Sequence, residues 1–310
     1  MGAGTTADTR VRVGGRAVGV SSLDKVLFPE AGITKGELIE YYAAVAPHML
    51  PQLKDRPINL ERFPDGIARG GFFQQAMPDS FPEWIEGVTV EKAGGKVRHV
   101  LVQTAATLVY LANQGCITLH AWLSRRDRLD NPDQMVFDLD PPDQDPEGVR
   151  SAARALGELL RELELVSFLK TTGSRGYHVL VPLDRREDFE EVRGFAQAVA
   201  GLLVRRHPKQ LTTEGRKAKR GKRIYIDTLR NAYAHTAVPA YTVRAKPAAP
   251  VATPIGWDEL EDRAMHPARF TIRNLPTRLR DGADPWRDLR RRARGLASAR
   301  RLLEELSAPR

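Results

Sequence analysis

Met135-Val136-Phe137-Asp138-Leu139-Asp140-Pro141-Pro142 sets acidic side chains into an apolar run and then stops on two prolines. An extended chain places successive side chains on opposite faces. Met135, Phe137 and Leu139 therefore point one way, and Val136, Asp138 and Asp140 the other. The two carboxylates share a face, about 7 Å apart along the strand. Neither proline can donate a ladder hydrogen bond, so the strand ends there. Like charges side by side are costly unless something positive sits between them. Hard divalent cations take carboxylate oxygens, and a carboxylate-bridged pair of Mg²⁺ or Mn²⁺ ions suits phosphoryl chemistry. An Asp at a strand end followed by an Asp opening a turn would leave the same trace, so the flanking sequence has to decide.

Upstream, residues 117–123 alternate as a strand, with Thr118, His120 and Trp122 on the more polar face. A charged loop, Ser124-Arg125-Arg126-Asp127, leads into the acidic strand. Downstream, Val149, Ala152, Ala153, Leu156, Leu159, Leu160 and Leu163 mark an amphipathic helix over 147–165. Strands are expected at 167–171 and 177–183, joined by Thr172-Gly173-Ser174-Arg175-Gly176. Both glycines permit positive φ, so successive amides there can form an anion nest, with Arg175 adding a fork of donors; as a lone motif that signal is weak, and an ordinary hairpin turn is the first reading. A second helix spans 188–206. Residues 216–223 hold six basic side chains in eight positions and read as a solvated loop able to follow a phosphate backbone. The next strand, 224–228, carries a third acid, Asp227, on the face opposite Ile224 and Ile226.

Nearer the N-terminus, 11–20 reads as an edge hairpin. Thr34 caps a helix, with Glu37 completing a capping box, and 58–63 is a strand. Gly70-Gly71-Phe72-Phe73 sets two aromatics on flexible backbone, one ring expected in the core and the other able to stack on a base. Toward the C-terminus, 241–245 is extended, 246–254 is an Ala/Pro-rich extended strap, and 287–306 is a basic helix.

The 310 residues suffice for one large domain or two ordinary ones, and 42% hydrophobic content supports a sizeable core. A formal charge of +9 favours a polyanionic partner. The single cysteine, Cys116, excludes an internal disulfide and a Cys-based zinc site, as suits a reducing cytoplasm. Residues 1–10 lack the apolar core of a secretory signal. Residues 1–6 match the loose myristoylation pattern, but no second anchor accompanies them. The uncharged run 100–124 is interrupted by Gln103, Asn113, Gln114, Gly115 and His120, and reads as a buried helix and strand rather than a membrane span.

Taken in order, these stretches resemble the primase-polymerases of bacterial end joining and repair: the polymerase module of Ligase D and its free-standing relatives, most of all the actinobacterial type that accompanies Ligase C. The matching stretches are Asp24 to Pro29, Thr34-Lys35-Gly36, Arg62-Phe63-Pro64-Asp65-Gly66, Phe72-Phe73, Leu119-His120-Ala121-Trp122 and Val136 to Pro141. They continue through Lys170 to His178, Ile226-Asp227, Tyr241-Thr242-Val243-Arg244, Thr253 to Leu260 and Phe270-Thr271-Ile272-Arg273.

The resemblance implies an α/β chain of α+β type with the archaeo-eukaryotic primase fold, mixed and antiparallel sheets around a catalytic cleft with flanking helices. It divides the chain into an N-terminal extension (1–20), a primase-polymerase domain (21–286) and a basic C-terminal helix (287–310). It implies template-directed addition of NTP or dNTP to a 3′-hydroxyl, with ribonucleotides preferred and two Mn²⁺ or Mg²⁺ ions on Asp138, Asp140 and Asp227. His120, Thr172, Ser174, Arg175, His178, Arg230 and Arg244 match positions that hold the incoming nucleotide. Phe73 matches one that stacks on a base, and Lys25 and Lys35 match a pair that grips a 5′-phosphate. The implied partners are gapped, nicked or broken duplex DNA, a separate DNA ligase and a Ku-type protein, in the cytoplasm at the nucleoid.

Four residues depart from the family pattern. Glu61 and Gln75 stand where lysines are usual, Arg175 replaces the commoner Lys, and Thr172 replaces a Ser. They bear on the grip on DNA and leave the acid set intact. Two other readings compete, a phosphatase of the Asp-x-Asp type and a non-enzymatic basic DNA-binding module. The first usually has Gly-Thr after the second acid, where this chain has prolines. The second leaves three acids idle on a face meant for phosphates.

Overall fold

The computed structural model describes residues 9–308 except 93, 144 and 283, so the lipidation-like residues 1–6 lie outside it. The chain forms two compact units, each built from three stretches. The first comprises 1–121, 238–251 and 270–282; the second comprises 122–237, 252–269 and 283–310.

In the first unit, Thr9–Val13 and Arg16–Val20 pair as a hairpin in a two-stranded sheet of its own rather than at the edge of a larger one. The turn uses Gly14 and Gly15, both at positive φ. Thr34 caps the helix Lys35–Leu53 with the reciprocal Glu37 bond, as its sequence predicts. That helix packs on Ala105–Asn113. Pro57–Arg62 is the central strand. It pairs antiparallel with Gly95–Leu101, with Cys116–Trp122 and with the short strand Phe72–Gln74. The Tyr42 hydroxyl donates to Ile117 O at 2.6 Å and accepts from Val243 N, and the Thr118 hydroxyl donates to Val243 O. These buried bonds tie the returning segment, and Arg244 with it, to the central sheet. Within the expected extended strap at 246–254, residues 246–249 instead form a turn closed by the Arg244 N to Pro250 O bond and the Val243–Val251 bridge, while the later residues stay extended into the strand Pro254–Ile255. Ala249 takes positive φ there, a conformation that composition does not announce.

In the second unit six strands run in the order Leu211–Thr212, Ile224–Asp227, Gln134–Asp140, Tyr177–Pro182, Phe168–Thr171 and Pro254–Ile255. All pairs are antiparallel except the first. Met135, Phe137 and Leu139 are fully buried, each contributing roughly 1.5–3 kcal/mol of burial. Helices Pro146–Glu162 and Phe189–Arg206 pack on this sheet. Each begins at an aspartate cap, Asp145 and Asp188.

The basic C-terminal helix is shorter than its composition suggests. A 3₁₀ turn covers Leu289–Arg292, and the α-helix starts only at Ala297. Between them the backbone of Arg294 bonds Pro182 O and Asp184 N, and Leu296 N donates to Glu187. Tertiary hydrogen bonds have replaced helical ones.

Candidate active site

Asp138 and Asp227 face each other across adjacent antiparallel strands, and Asp140 pairs in register with Tyr225. Directly opposite side chains on such a pair lie about 5 Å apart, so the two acids need neutralisation. Arg230 provides it, with Nη2 3.5 Å from Asp138 Oδ2 and Nε 3.9 Å from Asp227 Oδ2. Its placement follows from Asn231. That side chain accepts from Val136 N at 2.8 Å and donates to Val136 O at 2.7 Å, continuing the ladder where the Asp227 strand has ended. Leu229 N also donates to Asp227 Oδ1.

On the other side Asp138 pairs in register with His178, whose Nε2 lies 3.4 Å from Asp138 Oδ1. Burial alone would raise the Asp138 carboxyl, but His178, Arg230 and Lys170 together hold it well below the usual carboxylate range. Burial, and then the Lys170 charge, push the His178 imidazole down to about 4, so the ring is neutral near pH 7.

Asp140 is bracketed by two guanidinium groups, Arg175 Nη2 and Arg220 Nη1, each at 3.2 Å. Arg220 is the residue that the sequence reading missed. It belongs to the run expected to be solvated, yet it is only 7% exposed. Its guanidinium lies 3.8 Å from the Tyr225 ring centroid and donates to Glu214 O and Gly215 O. A short helix, Lys217–Arg220, carries it. The signal available was spacing: Arg220, Tyr225 and Asp227 stand close in sequence, and Tyr225 shares a strand face with Asp227.

The stretch 172–176 is the ordinary hairpin turn between paired strands, and its own side chain takes up the amides that an anion nest would offer. The Thr172 hydroxyl oxygen accepts from Ser174 N and Gly176 N and donates to Gly176 O. Gly173 has positive φ but Gly176 does not. Gly176 is needed for close approach, since a Cβ there would meet Leu139 O at 1.8 Å.

Among the described residues, no three His, Cys, Asp or Glu side chains converge as ready-made metal ligands. The donor chemistry nevertheless fits hard divalent cations. Three carboxylates project from neighbouring strands, and arginines now satisfy the charges that cations would satisfy.

The remaining candidates lie in the first unit. His120 Nε2 is 3.2 Å from Glu61 Oε2, and the His120 and Phe73 rings are 4.9 Å apart. Neither Phe72 nor Phe73 enters the core, contrary to the expectation for one of them; they are 49% and 61% exposed. Arg62 covers the Phe72 ring and bonds Gln74 and Gln114 O. Lys25 Nζ bonds Asp65 at 2.6 Å, and Lys35 Nζ lies 3.5 Å from Asn113 O. Burial and the neighbouring Lys25 lower the Lys35 ammonium. The first amides of the helix are not open to an anion, since Lys35, Gly36 and Glu37 N donate to Lys25 O, Leu23 O and Thr34 Oγ1. Any anion there has to be held by the lysine side chains.

A family model described as the LigD primase-polymerase domain matches residues 34–286. The multifunctional non-homologous end joining protein LigD of Pseudomonas aeruginosa is 35% identical over 274 residues, covering 87% of this chain and 32% of that protein. LigD of Mycolicibacterium smegmatis is 31% identical over 265 residues, covering 82% and 34%. The chain thus spans about a third of the length of these relatives. The polymerase domain of Mycobacterium tuberculosis Ligase D, solved in complex with DNA, is 29% identical with a TM-score of 0.84, over 89% of this chain and 99% of that one. No helix among the described residues is long and apolar enough to cross a membrane.

Proposed function

The chain belongs to the LigD primase-polymerase family of nucleotidyltransferases, and on that footing we propose that it adds nucleotides to primer ends or short gaps in broken duplex DNA. The observation that carries the proposal is the Asp138–Asp227 cross-strand pair with Asp140 beside it. We assign these three acids to two divalent cations, Mn²⁺ or Mg²⁺. Such ions supply charge that acidifies the primer hydroxyl and stabilises the α-phosphorus as it reacts. Arg175, Arg220 and Arg230 neutralise the acids in this structure and can turn their forks to triphosphate oxygens. His178, neutral and buried, orients Asp138. Thr172 and Ser174 shape the turn that carries Arg175. His120 and Arg244 meet the incoming nucleotide, and the exposed Phe73 ring stacks on a base. Residues 21–286 form the catalytic part, with 1–20 and 287–310 as appendages. A separate ligase and a Ku-type protein complete the repair, at the nucleoid.

The test is extension of gapped, 3′-overhang and unprimed substrates by the pure protein, with NTP against dNTP, in Mn²⁺ and in Mg²⁺. Template-directed extension is expected. Release of phosphate from a small ester with no template-directed extension would favour the Asp-x-Asp phosphatase instead. The resemblance further supports a ribonucleotide preference, read as a higher kcat/KM for NTP than for dNTP at equal metal. Equal values would remove that claim alone.

Lys25 and Lys35 are proposed to hold the 5′-phosphate of a downstream strand. Two ammonium groups close enough for one to lower the other's pKa are relieved by an anion between them. The gain is about tenfold in affinity for a phosphorylated over a 5′-hydroxyl gap, the scale of one or two partly exposed charge-assisted bonds. Lys25→Glu with Lys35→Gln should erase the difference and spare extension of a simple primer-template. Equal binding of both gaps by the wild type at low salt, where such contacts are strongest, would refute the phosphate site.

A further inference from the structure

Glu61 stands where the family resemblance leads one to expect a lysine, and the structure gives it a partner. It lies on the central strand Pro57–Arg62, paired in register with Phe73 on one side and Thr118 on the other. His120 lies two residues beyond Thr118 and therefore on the same face. Glu61 Oε2 is 3.2 Å from His120 Nε2, and the pair is partly buried, with side chains 22% and 14% exposed. Burial alone would raise the Glu61 carboxyl, but His120, Arg244 and Thr118 hold it below its ordinary value, so it is an anion. A carboxylate only accepts, so the bond requires the proton on His120 Nε2. Phe73 packs against the same imidazole, at 4.9 Å and 47° between ring planes. The ring is thus fixed by a hydrogen bond at its edge and an aromatic contact.

We propose that Glu61 is the positioning residue of His120. It fixes the tautomer and the ring plane with which His120 meets the incoming nucleotide. The proposal rests on reading His120 as a nucleotide-holding residue. A lysine at 61 has three donors and no acceptor, so it cannot make this bond. A glutamine keeps an acceptor without the charge.

The test measures nucleotide KM and kcat, in primer extension at fixed metal, for Glu61→Ala, Glu61→Gln, Glu61→Lys, His120→Ala and the Glu61→Ala, His120→Ala double variant. Thermal melting of each controls for folding. Glu61→Ala and Glu61→Lys should raise the nucleotide KM about tenfold with kcat little changed, while Glu61→Gln stays within about threefold of wild type, the span expected of a charged against a neutral hydrogen bond. The double variant should be no worse than His120→Ala alone, because Glu61 acts through the ring. Melting temperatures should match wild type within a few degrees. If His120→Ala leaves KM unchanged, the nucleotide reading of His120 falls and the proposal with it. If His120→Ala raises KM but Glu61→Ala does not, or the two effects multiply, the nucleotide reading stands and the positioning role of Glu61 is overturned.

Discussion

Asp138→Ala is expected to abolish nucleotide addition, lowering the rate about a thousandfold or more, since metal-borne charge stabilisation is worth several kcal/mol in such reactions. Asp227→Ala should do the same. The two carboxylates oppose each other in register, and neither has a neighbouring acid that could replace it at that position. Asp140 is two residues further along and already committed to Arg175 and Arg220. Affinity for DNA should move in the other direction. Removing Asp138 leaves His178, Arg230 and Lys170 with one negative charge fewer among them, so binding to a phosphate backbone should hold or tighten. Asp138→Asn separates charge from shape: it keeps the volume and hydrogen bonding beside His178, and activity should still be lost. Extension is measured in Mn²⁺ and binding by titration of a labelled primer-template. Primer extension by an Asp138→Ala, Asp140→Ala double variant in Mn²⁺ would remove these acids from the chemistry.

What could be read from the sequence divides along the range of the interactions. The acidic strand, the two helices packed on its sheet and the capping box at Thr34 follow from periodicity and local hydrogen bonding, and each stands where the pattern places it. Features set by partners distant in sequence were not legible. Arg220 sits in a run that looks solvated, and only the Tyr225 ring and Asp140, brought together by strand pairing, make its burial favourable. The Phe72–Phe73 pair looks half core, but its short strand pairs with 60–62 and both rings stay exposed. The helix expected from Arg287 is broken by backbone bonds from Arg294 to Pro182 and Asp184, over a hundred residues upstream. The interleaving of two units has no compositional trace either, because 238–251 returns to the first unit through buried hydroxyl-to-backbone bonds at Tyr42 and Thr118.

The second large effect is one of packing. Gly176→Ala is expected to destabilise the second unit by about 3 kcal/mol or more, at the upper end of overpacking substitutions. The backbone conformation at 176 is open to any residue, so the cost is steric. An added Cβ would sit 1.8 Å from Leu139 O and 3.0 Å from Leu139 C, and neither is the movable end of a side chain. Relief requires the 172–176 turn to lift away from the strand Gln134–Asp140. That breaks the Thr172 hydroxyl bonds to Gly176 and displaces Arg175 from Asp140. Leu139 lies between Asp138 and Asp140, so any share of the shift taken by that strand moves the acids as well. Activity should therefore fall further than the unfolded fraction explains. Gly194→Ala is the matched control. Gly194 is exposed in the helix Phe189–Arg206, and an added methyl meets nothing within 4 Å. It should stabilise by about 0.5–1 kcal/mol through helix propensity alone. Opposite signs for the two substitutions in denaturant unfolding are the expected result. A Gly176→Ala protein as stable and active as wild type would mean that Leu139 O and the turn do not approach as closely as the structure has them.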